Sequence, residues 1–260
     1  MSEQPEAAVS FDSSRVISRA TEAIGSNLPL YLGLSLMLSG VPAFLLGWWQ
    51  FGMRSDDRQI MAARYLTADY WLPFLAVMAV IVAFNAILQA AITRATASHL
   101  AGSRPGLIPC LETGLTLFVP MIVISMVIGL CAGIAALFLI VPGVILWLYW
   151  SMALPAFVQE PIGMFESLKR SVELTKGHRG DIFLIMLALG IGMAVLNWIL
   201  RAMVGPMLGT ATSQPLSALV ASLFAAFNSM VSLTIMASIY IELRNVKDGA
   251  LPNELAAIFA

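Results

Sequence analysis

The sequence predicts an all-α, polytopic transmembrane helical bundle with six spans. Three observations carry this. Apolar residues make up 59% of the 260-residue chain and charged residues only 11%. Mean hydropathy is +0.87. The apolar residues fall into runs of about 20 residues, the length that crosses a hydrocarbon core as helix. A soluble fold of this size would lack the polar residues to cover its surface, whereas a bilayer solvates apolar side chains directly.

The first run covers 28–49 and the second 70–92, closed by Thr93 and Arg94. Residues 113–158 are almost free of charge, too long for one span and right for two. Val141-Pro142-Gly143 is the expected break, because proline removes a helix donor and glycine tolerates a turn. Spans at 113–139 and 143–158 follow; the latter is short enough to end below the headgroups. The fifth run is 181–200, ended by Arg201. A mixed segment, 205–215, leads to the sixth, 216–243. The domain reading is a segment 1–27, a six-span domain 28–243, and a tail 244–260 with Arg244, Lys247, Asp248 and Glu254. The first apolar run is too long for a cleavable signal.

Two amphipathic stretches precede spans one and five, and both fit helices lying in the interface. In the first, Phe11, Val16, Ile17, Ala20 and Ile24 share a face, with Asp12, Arg15, Arg19 and Glu22 elsewhere. In the second, Phe165, Leu168 and Val172 lie opposite Glu166, Lys169, Arg170 and Glu173. The spacing there allows Glu166–Arg170 and Lys169–Glu173 pairs. Gly177 is placed to cap the second helix. A short stretch followed by a helical hairpin recurs with openings near Val16, Leu107 and Met164, which suggests a loose threefold repeat.

Orientation follows the basic residues. Arg15, Arg19, Arg94, Arg104, Lys169, Arg170, Lys176, Arg179, Arg244 and Lys247 lie on the side of the termini, against Arg54, Arg58, Arg64 and Arg201 on the other. This predicts an inner (cytoplasmic) membrane protein with both termini cytoplasmic. Trp48, Trp49, Trp71 and Trp198 fall near the opposite ends of their spans, and Trp147 and Trp150 in the outer half of theirs, as an interfacial aromatic belt would.

Chemistry-bearing residues are few. The intramembrane polar candidates are Asn85, Gln89, Asn197 and Asn228. None is ionisable, and Asn85 and Asn228 sit at depths where a bond between helices is expected. Glu112, Glu160, Asp181 and Glu242 lie at span ends, which weakens an ion-coupled carrier reading. Pro42, Pro120 and Pro155 are expected to kink their spans. Gly129 and Gly133 form a GxxxG pair, read chiefly as internal packing. His99 and His178 lie in separate loops without metal-ligand spacing. Cys110 and Cys131 read as small buried hydrophobes. No catalytic residue, metal or cofactor is expected, and a net charge of −1 gives no basic surface for nucleic acid. Lys169, Arg170, Lys176 and Arg179 form a basic loop suited to anionic headgroups.

Three stretches in order carry a family resemblance: Pro142-Gly143 followed by 153–160 (ALPAFVQE), then 165–171 (FESLKRS), then 174–177 (LTKG). With Tyr240-Ile241-Glu242-Leu243-Arg244 and Gly102-Ser103-Arg104-Pro105, they resemble the glycerophosphoryl diester phosphodiesterase membrane domain family and its YciC-like relatives. The resemblance implies six spans and little about activity, since the catalytic barrel of some members has no counterpart here. On the residues themselves, Glu160, Arg170, Tyr240, Glu242 and Arg244 are expected to form one polar cluster tying span four, the second amphipathic helix and span six together. The leading functional expectation is a non-enzymatic membrane protein that organises lipid or a membrane-protein partner, or a second copy of itself. The alternative is a transporter or lipid-translocating protein with a polar central cavity.

Overall fold

A computed structural model of the chain describes residues 11–52, 67–204 and 214–249. Arg54, Arg58, Arg64, Glu254 and most of the mixed segment 205–215 lie outside the described residues. Every regular element among those described is helical. Six stretches are long and apolar enough to cross a membrane: Leu28–Gln50, Tyr70–Leu100, Leu107–Phe138, Ile140–Gln159, Arg179–Met203 and Leu216–Asp248. The protein is an all-α, multi-pass membrane protein.

Helix α1 (Ser13–Ser26) starts at Asp12, whose carboxylate accepts the Ser14 N–H at 2.9 Å. It buries Val16, Ala20 and Ala23 against the bundle while Ile17 stays exposed. Its apolar face is therefore used largely on protein. The first span follows as α2 (Leu28–Ser35), a π-helical turn over Leu36–Gly40, and α3 (Val41–Gly52). Pro42 has no N–H to return to the Leu38 carbonyl, so the ladder widens by a residue instead of breaking. Small residues bring this span close to the last helix. A Cβ on Gly47 would lie 3.1 Å from that of Ala218, and one on Gly40 3.4 Å from that of Ala226.

Helix α4 (Ala68–Leu100) and helix α5 (Leu107–Phe138) form the tightest hairpin of the fold, turning through Gly102 at φ 79°. A Cβ on Gly114 would sit 2.7 Å from the Ile87 carbonyl oxygen, so only glycine admits this approach. Span three thus begins at Leu107 instead of 113, with no separate amphipathic helix before it. The middle unit of the suggested repeat lacks its first element.

The break between spans three and four is at Leu139, whose extended backbone (φ −156°, ψ 134°) separates α5 from α6 (Ile140–Trp150). Pro142 does not break the helix, because it occupies the first turn of α6, where N–H groups have no partner anyway. Gly143 supplies room: a Cβ there would lie 2.6 Å from that of Ala136. Span four breaks again at Ser151 and Met152 and continues as α7 (Ala153–Gln159). Pro155, expected to kink its span, stands in the first turn of α7. Pro120 lies within α5, which runs through it as one helix.

Helix α8 (Met164–Thr175) begins with Glu166 accepting the Gly163 N–H at 3.0 Å and is followed by Gly177 at φ 94°. Its buried face differs from the expected one. Ser167, Ser171, Leu174 and Thr175 face the bundle, whereas Phe165 is 72% exposed. Helix α9 (Arg179–Val204) is the fifth span and α10 (Gln214–Asp248) the sixth.

The core is concentrated toward the face that bears the termini. One cluster joins Ala23, Tyr31, Leu34, Leu88, Ala91, Ile92 and Ala95. Another joins Val16, Met152, Leu174, Ile182, Ile239, Tyr240 and Leu243. At the opposite end, aromatic rings gather instead: Trp49 lies 5.7 Å from Tyr70, and Tyr70 stacks 6.0 Å from Phe74.

Candidate functional site: a polar knot at the terminus-bearing face

The last two turns of α10 organise the site. Glu242 is fully buried. It accepts Arg15 Nη1 at 2.7 Å and Arg19 Nη1 at 2.5 Å, both from α1. Arginines at 15 and 19 project on one side of α1 because residues four apart share a helix face. Two guanidiniums on one desolvated carboxylate make a charge-assisted clamp that ties the N-terminal helix to the sixth span.

Two residues earlier, Tyr240 emerges on another side of α10. Its hydroxyl donates to Glu160 Oε1 at 2.7 Å. The same carboxylate takes Arg170 Nε at 3.0 and 3.2 Å. Arg170 also binds Asp248 through Nη2. Burial opposes the Arg170 charge, but the bonds to Asp248 and Glu160 outweigh it and hold the guanidinium above its ordinary range. Arg244 Nε lies 4.0 Å from Glu160 and 3.8 Å from Asp248, and that nitrogen has no hydrogen-bond partner among the described residues.

The five residues expected in one cluster thus gather at one end of α10 but divide into two. Glu160, Arg170, Tyr240 and Arg244 form one group with Asp248, while Glu242 turns away to Arg15 and Arg19. The reason is helical rotation, since residues two apart on a helix point in divergent directions. The expected Glu166–Arg170 and Lys169–Glu173 pairs do not form among the described residues. Arg170 is drawn inward to Glu160, and Glu166 is used as a cap.

Ser171 completes the knot. Fully buried, it accepts the Met152 N–H at 3.1 Å and donates to the Tyr149 carbonyl at 2.7 Å. These backbone groups flank the break between α6 and α7, so the α8 hydroxyl satisfies what the interrupted ladder leaves open. Gln159 donates to the Thr93 carbonyl at 3.2 Å, joining α7 to α4. Arg179, from the basic loop, places its guanidinium 3.7 Å over the Tyr149 ring. His178 lies 3.6 Å from Asp181, and its ring centroid is 5.4 Å from that of Phe11. Asn27 and His99 approach at 3.3 Å, where α1 meets the first span.

Of the basic-loop candidates, Lys169 and Lys176 are exposed and make no salt bridge among the described residues. The intramembrane polar candidates do not converge. Asn85 is exposed and donates to the Ile81 carbonyl of its own helix, so the expected bond to Asn228 is absent. Asn197 accepts from Arg201 at 3.0 Å on α9. Gln89 and Asn228 are half-buried on α4 and α10. Besides the Gln159–Thr93 bond, hydroxyls make polar contact between spans: Ser39 meets Ser229 at 2.9 Å, and Tyr31 meets Thr96 at 3.1 Å. A Cβ at Gly129 or Gly133 would meet nothing within 4 Å, so among the described residues this GxxxG pair is not internal packing. Cys110 is buried, as expected; Cys131 is only partly so.

Sequence reasoning missed Arg15, Arg19 and Asp248 as knot residues. The signal for the arginines was their i,i+4 spacing on a helix whose other face is apolar. A cavity of about 20 Å³ between α5 and α8 is lined by Val123, Ile124, Val127, Met164, Phe165 and Leu168, all apolar. No family model, curated protein or solved structure matches the chain.

Proposed function

We propose that this chain is a non-catalytic cell-membrane protein, both termini cytoplasmic, that organises anionic lipid at the cytoplasmic surface. The carrying observation is the division of labour on α8. Arg170 and Ser171 face inward and fix the helix to the bundle, leaving Met164 and Phe165 exposed beside α5, and Lys169 and Lys176 without a salt bridge among the described residues. Apolar side chains beside free cations are what an acyl chain and its phosphate require together. The basic count by loop supports the orientation. A structural role suits the ionisable groups of the knot, because they are spent on one another. The polar-cavity transporter reading is less well supported, since Asn85, Gln89, Asn197 and Asn228 lie apart. Membership of the family with the phosphodiesterase membrane domain is part of the proposal. It is supported by the meeting of Glu160, Arg170 and Tyr240, all drawn from the resembling motifs.

The test is native mass spectrometry of the protein released from a mild detergent with mixed phosphatidylcholine and phosphatidylglycerol. Retained phosphatidylglycerol is expected, with several-fold less on the Lys169→Gln, Lys176→Gln double variant. A wild-type protein that retains no lipid, or a double variant that retains as much, overturns the reading.

A further inference from the structure

Asn85 of α4 stands in a place that a lone copy of the chain leaves unsatisfied. It is exposed, and it lies well inside the second span. At 1.5 Å per residue it is about 22 Å along the helix from Tyr70 and about 13 Å from Arg94, and no residue from 70 to 93 is charged. Its Nδ2 donates one hydrogen to the Ile81 carbonyl at 2.9 Å. The second hydrogen and the Oδ1 acceptor have no partner among the described residues. A hydroxyl escapes this difficulty: Ser125 spends its single hydrogen on the Met121 carbonyl at 2.8 Å. A carboxamide has more to satisfy. Acyl chains offer neither donor nor acceptor, and an unmet amide in hydrocarbon is costly.

The residues around Asn85 form a seam. Leu75, Met78, Val82, Asn85 and Gln89 follow one another at steps of three and four, the spacing of side chains that face a partner in a left-handed helix pair. Leu75 is 58% exposed and Val82 45%, while Met78 and Gln89 are half-buried. The fold covers other sides of α4: Leu88 and Ile92 pack with Tyr31 and Leu34 of the first span, and Ala86 and Ala90 with Met121 of α5. Gln89, one turn from Asn85 on the same face, also makes no hydrogen bond among the described residues.

The chemistry of the seam selects its occupant. Copies of one membrane protein share one orientation, so a twofold axis along the membrane normal brings each residue to the depth of its own counterpart. A carboxamide is donor and acceptor at once. Asn85 of each copy therefore supplies what Asn85 of the other lacks, and no second sequence is needed. A lipid tail would fill the seam and leave both amides unmet. We infer that α4 pairs with α4 of a second copy along Leu75 to Gln89, with the two Asn85 carboxamides bonded to each other within the seam. The polar pair fixes the register, as a single asparagine does in a coiled-coil seam. This does not rest on the lipid reading, whose residues are on α8 and the loop after it.

The test uses the full chain with Cys110→Ala and Cys131→Ala in phosphatidylcholine–phosphatidylglycerol vesicles. Single-molecule photobleaching across protein-to-lipid dilutions should show dimers. Asn85→Leu should weaken their association about tenfold, the worth of an interhelical amide bond. Under a mild oxidant Val82→Cys should form a disulfide with its copy many times faster than Val80→Cys, which is 51% exposed but on the opposite side of α4. Monomers at every dilution mean that acyl chains cover the seam, and overturn the inference. So does equal linking at 80 and 82, or linking at Gly133→Cys alone, because the contact then lies elsewhere. Association unchanged in Asn85→Leu removes the carboxamide bond. A Val82→Cys adduct with a different protein, formed in membranes of expressing cells in place of the homodimer, also overturns it. The comparison of 82 with 80 keeps the test decisive if Asn85→Leu fails to fold.

Discussion

Ser171 shows how much one hydroxyl can do inside a membrane. Ser171→Ala removes the acceptor of the Met152 N–H and the donor to the Tyr149 carbonyl. A buried backbone donor left open costs about 1–3 kcal/mol. The variant should therefore melt several degrees lower in detergent, and an unchanged melting temperature would show that the broken helix satisfies itself. Glu242 has a larger stake. Replacing it by alanine leaves Arg15 and Arg19 facing a site built for an anion. Because both arginines keep some access to solvent, the cost should fall below the fully buried case, at about 2–3 kcal/mol. The specific readout is hydrogen exchange over residues 13–26, which should accelerate as α1 lifts; unaltered exchange there refutes the clamp. Asp12 adds a pH dependence. The Ser14 hydroxyl and backbone N–H hold its carboxyl below the ordinary 3.8. A depressed value stabilises the folded state above the unfolded pKa and loses that contribution as pH falls through the folded one. Fraying at the start of α1 should therefore set in only below about pH 4, and an Asp12→Asn variant should show less of that dependence.

At the scale of elements, glycine decides where helices touch. Gly114→Ala forces a methyl against the Ile87 carbonyl, 2.7 Å from where the Cβ would stand, and overpacking of that kind costs about 1–3 kcal/mol. Gly129→Ala, with open space around it, is the matched control and should be neutral or slightly stabilising. Equal melting temperatures for the two variants would contradict the packing of α4 on α5. The same scale shows what a sequence can disclose. The spans were legible because each needs a long apolar run, a one-dimensional property. The break at Leu139 was not, because Pro142 looks like a terminator yet is harmless in a first turn. The face of α8 was misread because its inward side is lined with hydroxyls that bond backbone, while Phe165 points outward. The meeting of Glu160, Arg170 and Tyr240 was anticipated from their common placement near one face of the membrane. The pairing of Arg15 and Arg19 with Glu242 was not, because more than 220 residues separate the partners and no local pattern records it.

The whole molecule is unevenly bound together, and its stability should be uneven in the same way. Helices in a bilayer gain little from hiding apolar surface from one another; packing and hydrogen bonds hold them. Near the terminus-bearing face both are plentiful: Leu88 and Ile92 are fully buried, and the ion pairs, the Ser171 bonds and the Gln159–Thr93 bond lie there. The fifth span is the opposite case, with only 6% of its most apolar stretch buried. Leu88→Ala should therefore cost about 2–4 kcal/mol, as a buried leucine does when its cavity cannot collapse. Leu187→Ala on α9 removes the same atoms from a lipid-facing position and should cost well under 1 kcal/mol, since acyl chains refill the space. Reversible unfolding in mixed micelles measures both. Comparable losses at the two positions would mean that α9 is held by contacts as extensive as those of α4, and the picture of a bundle knotted at one face with a loosely attached fifth span would have to be abandoned.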